Sequence, residues 1–470
     1  MSRIAIRFER RSNGPCTFKL DRTPQQGREP TEVESFPLTQ KQVEMAPRGA
    51  GERLFAALRN NQDVSGAFDF VLAQANLVPV YLEMAKGAES ADAFPWEFLF
   101  SDTQRFLALS KFWPIARSLH SATLPKVTFR ELTMVNGRPQ IRVLVVLGAG
   151  NDWKWEWRAF RDLRNKAKEL RCDLQLRILV GHGDAAKTIN QEAGTRIASS
   201  FTNLDDLWTL LRSEEFTPNI IHFLCHGTGG SDPVMHCATI LDHETGSKER
   251  FDAIAPSELL DKIPKTQFLW MIVLNCCELG DATTPSQQSF ARGLLGNEAP
   301  VVIAHRAPIE VTDAAEVTRG LYESIFAKAD SATQQDTPEE VDWADVLAMA
   351  RDRLINKHRQ GTGPQTAENT VEWSLPVVYV TSSGFVMRTR HGDPDPTASA
   401  HAATTLAMQG ELLDVNQMPN HYRQDIENIN SPGGAVIPTG YVAAPTTTEA
   451  HTAVNLTQEE DDEATGLAAC

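Results

Sequence analysis

A chain of 470 residues with 41% hydrophobic content can bury one large core or a few domain-sized ones. Its net charge of −16 speaks against a nucleic-acid backbone as partner, which calls for a basic surface. No apolar run reaches the roughly 18–20 residues of a membrane span, and the opening "MSRIAIRFERRSNGP" is too charged for a signal peptide, so a cytoplasmic protein without a membrane partner is expected.

The first 138 residues are irregular in pattern. They hold the apolar runs "AFDFVLAQANLVPVYLEM", "AFPWEFLF" and "RFLALSKFWPIARSL", and predict a smaller N-terminal α/β unit (1–138) packed beside the rest. From residue 139 strands and helices alternate. "IRVLVVLGAG" (141–150) predicts a strand, and the helix after it shows Trp153, Trp157, Phe160 and Leu163 on one face. Then come "LQLRILVG" (strand), "LDDLWTLLRS" (helix), "NIIHFLC" (219–225, strand), "PSELLDKI" (helix) and "FLWMIVLN" (268–275, strand). "QQSFARGLLG" (helix), "PVVIAH" (strand), "DAAEVTRGLYESIF" and "WADVLAMARDRLINK" (helices) and "LPVVYV" (strand) close the series. Strands that are apolar throughout, alternating with helices, predict a mostly parallel sheet with helices on both faces, over 139–389. Residues 390–470 are Pro-rich and acidic, end in "QEEDDEATGLAAC", and predict a largely disordered tail. One segment of it, "GELLDVNQMPNHYRQDIENI", is apolar enough to fold on a partner.

In parallel α/β sheets chemistry gathers at the carboxyl ends of the strands. "IIHFLCHG" runs a strand into His226 and Gly227, and "FLWMIVLNCCELG" runs another into Cys276 and Cys277. Neighbouring parallel strands, about 4.8 Å apart, bring an imidazole and a thiol to one substrate carbonyl. A thiol of ordinary pKa near 8.5 is only a few per cent thiolate at neutral pH, and a histidine beside it supplies the missing base. The alternative is a core histidine beside small buried cysteines. The seven cysteines show no repeated spacing and no C-x-x-C pair, which fits a reducing compartment. Cys225, His226, His236, Cys237, His243, Cys276 and Cys277 fall in one half of the chain without the spacing of a zinc site, so no metal is expected. "GAGNDW" carries Trp153 where a dinucleotide loop needs its third glycine, so no cofactor is expected either. "GHGD" (181–184) reads as a loop histidine.

The pair "IIHFLCHGTGG" and "MIVLNCCELG" resembles the His-Gly and Leu-x-x-Cys signatures of the CHAT family, caspase-like cysteine peptidases related to caspases and separase. "FPWEFLF" (94–100) resembles the family's Pro-Trp-Glu segment. "FARGLLGNEAPVVIAHRAPIEVTDAAEVTRGLYESIF" and "WADVLAMARDRL … WSLPVVYV" resemble its later blocks, so the likeness runs from about residue 50 to 385. It implies a caspase-like fold and a cysteine endopeptidase, with His226 and Cys277 catalytic, Gly227 at the oxyanion hole and Cys276 as the lesser candidate nucleophile. By the same resemblance Asp313 is a candidate floor for an S1 pocket that takes Arg or Lys; Glu278, Asp281 and Asp232, on nearby loops, are weaker candidates. An N-cap role for Thr312 or Asp313 is the alternative there. The resemblance further implies a protein substrate, a regulated bacterial defence or cell-death pathway, and a separate activating sensor protein. A catalytically silent scaffold, and acyl transfer from the same cysteine, are the rival functions.

Overall fold

The computed structural model describes residues 3–389 apart from 11–15, 23–32, 39–45, 75, 86, 104, 120–127, 182, 214, 230–231, 241–248, 267, 281–288, 296–298, 335–338, 360–369 and 382–384. The acidic tail, His182 of "GHGD", His243 and Asp281 therefore lie outside the described residues.

The N-terminal part contributes β1 (Ile4–Arg10), β2 (Cys16–Arg22), β3 (Glu34–Ser35), β4 (Val80–Met84) and β5 (Ile115–Leu119), with α1 (Pro47–Arg59) and α2 (Gln62–Leu72) between them. Next come β6 (Arg138–Leu147), α3 (Trp153–Glu169), β7 (Asp173–Val180), α4 (Gly183–Ala193), β8 (Ala198–Ser200), α5 (Leu204–Leu211) and β9 (Ile220–Leu224). Three short strands follow, β10 (His226–Thr228), β11 (Val234–Ile240) and β12 (Glu249–Ile254), then α6 (Pro256–Lys262) and β13 (Met271–Asn275). The series closes with α7 (Phe290–Leu294), β14 (Val301–His305), α8 (Val311–Thr333), α9 (Ala348–Arg359) and β15 (Pro376–Thr381).

One large sheet carries the order β8-β7-β6-β9-β13-β14-β15-β5-β4-β1-β2-β3. From β8 to β14 every pairing is parallel. β15 then pairs antiparallel with β14 and parallel with β5, which starts a second parallel block through β4 and β1. The mixed α/β class and the mostly parallel sheet agree with the sequence. The N-terminal part does not pack beside the sheet, however. It extends the same sheet edge to edge, so residue 139 falls inside one hydrogen-bonded layer. The pattern hides this because β15, like its parallel neighbours, is buried along its whole length, and burial does not record strand direction.

The residues of β9 and β13 are buried throughout, as strands covered on both faces must be. Two cores result. One packs α3 and α8 against one side of the central strands and runs on into the N-terminal part. The other gathers α5, α6 and α7 on the opposite side. Trp153, Trp157, Phe160 and Leu163 of α3 all point into the first core, so the tryptophans are packing residues. Among the described residues no helix is long and apolar enough to cross a membrane.

Candidate active site

β9 and β13 are adjacent, parallel and in register, with Leu224 opposite Asn275 as the last pair. Cys225 and Cys276 come one residue later, and His226 and Cys277 two residues later. Equal steps past the same pairing therefore set the imidazole and the thiol-bearing residue on one rim of the sheet. The two adjacent cysteines differ in environment. Cys276 is buried in the second core, its Sγ 3.7 Å from the Phe223 carbonyl oxygen. Cys277 is half-exposed, with Sγ 4.0 Å from the carbonyl oxygen of Ile309, in the turn between β14 and α8.

His226 opens β10 and is half-exposed. The turn between the two strand ends is tight. A Cβ placed on Gly227 would lie 2.0 Å from the Cys277 carbonyl oxygen and 2.8 Å from Leu279 Cγ, so only glycine lets these backbones meet. Glu278 holds φ of 58°, left-handed backbone that is uncommon outside glycine and concentrates at functional turns. Its Oε2 accepts the Gly229 amide at 3.1 Å, which ties the turn after Cys277 to the loop after His226. Gly280 donates its amide to the His305 carbonyl oxygen at 2.7 Å and fixes the far end of that turn. Asp232 is exposed in the turn between β10 and β11.

Behind the rim lies a group of buried thiols. Cys225, Cys237 and Cys276 are packed together, and burial with the two neighbouring thiols pushes Cys225 well above the usual thiol range. A methyl on Gly148 would sit 2.4 Å from Cys237 Sγ and 3.0 Å from Cys225 Sγ. The first glycine of "GAG" thus makes room for sulfur. Among the described residues no three His, Cys, Asp or Glu side chains are placed to hold a metal.

On the α3–α8 side of the sheet sits a buried polar network that sequence reasoning missed. Asn275 donates from Nδ2 to Glu156 Oε2 (3.1 Å) and accepts at Oδ1 from His305 Nε2 (2.7 Å). Thr318 donates to Glu156 Oε1. His222 Nε2 lies 2.8 Å from that same oxygen, near enough for an ion pair but not aligned as a hydrogen bond. Tyr322 stands 3.3 Å from His222 Nδ1. Burial, and next the neighbouring His222, depress the His305 imidazole to about 3, so it is neutral and donates from Nε2.

Asp313 departs from the capping reading. α8 begins at Val311 with Glu310 as its N-cap, so Asp313 lies inside the first turn and caps nothing. Its carboxylate is buried and already engaged, Oδ1 by Lys357 Nζ at 2.7 Å and Oδ2 by His358 Nε2 at 3.0 Å, both from α9. α9 itself starts at Ala348 rather than near Trp343, and Lys357 and His358 come from its last turn.

The sequence reading placed no helix or strand between Cys225 and Pro256. The structure places β10, β11 and β12 there as a separate antiparallel sheet. Its exposed face carries Phe251, whose ring lies 5.1 Å from the His226 ring at 67°.

The CHAT domain profile matches residues 85–337. Two solved structures are similar at low identity. The separase of the Saccharomyces cerevisiae separase–securin complex matches at 11% identity and a TM-score of 0.33, over 71% of this chain and 18% of its own. Iotapain, a secreted cysteine protease of Bacteroides thetaiotaomicron, matches at 11% identity and a TM-score of 0.28, over 48% of this chain and 64% of its own. The chain thus spans less than two thirds of either. No curated protein matches it.

Proposed function

Because the chain belongs to the CHAT-domain family, we propose that it is a cysteine endopeptidase in which His226 and Cys277 form the dyad. The observation that carries the reading is the register: both residues stand two positions past the last pair of neighbouring parallel strands, and the turns that bear them touch at Gly227. Half-exposed Cys277 suits a nucleophile, whereas buried Cys276 does not.

The reaction then runs in two halves. His226 takes the Cys277 proton, and the thiolate adds to the scissile carbonyl carbon. The oxyanion is held by main-chain N–H groups, with Gly227 as the candidate donor. Collapse breaks the C–N bond as His226 returns the proton to the leaving amine, which leaves a thioester. Water, deprotonated by His226, attacks that thioester, and the acid product departs with Cys277 regenerated.

The finer proposal is cleavage after a basic residue in a specific protein partner, within a regulated bacterial defence or cell-death pathway, on a signal from a separate sensor protein. Asp313 is the carboxylate proposed to receive the P1 cation. An exchange is required, since the incoming ammonium or guanidinium must take the place of Lys357.

A peptidyl acyloxymethyl ketone tests the dyad. Wild type should be labelled at Cys277, and the Cys277→Ala and His226→Ala variants should not. Absence of labelling in wild type, with any partner encoded beside it present, would favour a scaffold. In a fluorogenic panel with Arg, Lys, Asp or Leu at P1, a preference for Asp or Leu would remove Asp313 from the pocket and leave it as a tie between α8 and α9.

A further inference from the structure

β12 alternates as a strand on a half-buried sheet should. Asp252 and Ile254 face inward, while Phe251 and Ala253 are exposed. Phenylalanine on the outward side gives up burial that would otherwise stabilise the fold. At 42% exposure, Phe251 is among the most exposed large hydrophobic side chains of the described residues. A strand needing only solubility would carry a polar residue here.

The register explains the position. His226 pairs with His236 across β10 and β11, and His236 pairs with Ala253 across β11 and β12. Directly opposed residues project from the same face of a sheet, and so do positions two apart on one strand. His226, His236, Ala253 and Phe251 therefore form one surface. The Phe251 ring meets the His226 ring edge to face at 5.1 Å. Thr228 Oγ1 is 3.3 Å from His236 Nε2, which fixes the second imidazole on the same surface. The two charged residues that flank Phe251 on its own strand pair with each other, Arg250 Nε lying 2.6 Å from Asp252 Oδ1. The result is a neutral, partly aromatic wall beginning at the imidazole and reaching outward from it.

We propose that Phe251, with Ala253 beside it, is the wall of a substrate subsite that takes an apolar side chain from a residue flanking the scissile one. This deepens the peptidase reading and rests on it. Any peptide whose carbonyl is within reach of His226 lays its flanking residues along the surface that continues from that ring. An apolar side chain packed on Phe251 is desolvated together with it, which gives selectivity of about tenfold for each side chain of that size. Phe251 is thus a specificity residue and takes no part in proton transfer.

The test uses the full chain and two series of peptidyl acyloxymethyl ketones, with P1 held at Arg or at Leu and the flanking residue varied among Phe, Leu, Ser and Gly. Second-order rates of Cys277 labelling are measured by mass spectrometry, and iodoacetamide serves as a probe with no flanking residue. Wild type should favour Phe or Leu over Gly by about tenfold. Phe251→Ala should flatten that preference while leaving the iodoacetamide rate and the Gly-reagent rate within about twofold, and Phe251→Leu should keep most of it. An unchanged preference in Phe251→Ala overturns the proposal. So does an equal fall for every reagent, iodoacetamide included, which would mean that the ring merely supports His226. A wild type that reacts with iodoacetamide at Cys277 but with no ketone in either series rejects the peptidase reading itself, and the subsite with it.

Discussion

Gly227 shows how little space separates the two halves of the candidate site. With a Cβ only 2.0 Å from the Cys277 carbonyl oxygen, either the turn bearing the cysteine or the strand bearing the histidine has to move. Main chain cannot rotate away as a side chain does, so overpacking here costs about 1–3 kcal/mol and displaces a reacting group. A misplacement on the order of 1 Å lowers rates about a hundredfold. Gly227→Ala is therefore expected to reduce ketone labelling of Cys277 by about that factor, with a lower thermal transition. Labelling and stability both at wild-type levels would mean that the close approach has no functional weight. The same reasoning separates the adjacent cysteines. A single-residue step along the turn takes a thiol from the second core to the half-exposed rim, and the sequence alone kept both as candidates.

At the scale of elements, the network around Glu156 links α3, β9, β13, β14 and α8 through groups that water does not reach. A buried charge without a partner is costly, and His305 avoids that cost by remaining neutral. Its imidazole titrates near 3 in the fold against an ordinary 6.5, so between those values the unfolded chain holds a proton that the folded chain lacks. Stability from this residue is therefore complete above pH 6.5 and is lost as pH falls toward 3, at up to about 1.4 kcal/mol per pH unit. Urea unfolding between pH 6.5 and 5 should show that slope in wild type and a shallower one in His305→Gln. Equal slopes would show that His305 is protonated in the fold. None of this network was legible in the sequence, because Glu156 reads as one polar residue on a helix and His222 as one interruption of an apolar strand. Only the packing of α3 on β9 brings them together. The strands themselves were legible, since β9, β13, β14 and the C-terminal halves of β6 and β7 need apolar side chains on both faces and so appear as apolar runs. β10 to β12 were not, because "HGT", "VMHCATI" and "ERFDAI" mix polar and apolar residues and lack the unbroken apolar run of a strand covered on both faces.

For the whole molecule, the unit at issue is the sheet that crosses residue 139. β15 belongs in sequence to the second part, yet it sits between β14 and β5 and pairs with both. Arg117 on β5 is fully buried, held by Asp92 at 2.9 Å and Glu97 at 2.7 Å. Burial acts to raise Glu97, and Arg117 with Arg306 more than reverses it, so its carboxylate stays ionised. Arg306 follows β14 directly and donates to the Ala93 carbonyl oxygen at 3.1 Å, while Tyr379 on β15 donates to Asp92. The "PWEF" segment is thus a buried ionic joint between the N-terminal strands and the loop that also carries Ile309 to Cys277. Removing one side of such a joint leaves charges buried without partners, at about 3–5 kcal/mol for a pair, and bares one edge of β15. That penalty is a large part of the net stability of an ordinary domain, about 5–15 kcal/mol. Residues 139–389 expressed alone should accordingly aggregate or lack a cooperative transition, and residues 1–138 coexpressed as a separate chain should restore a soluble complex with ketone-reactive Cys277. A monodisperse 139–389 fragment with a sharp transition of its own would show that the sheet is two folding units joined at β15 and not one.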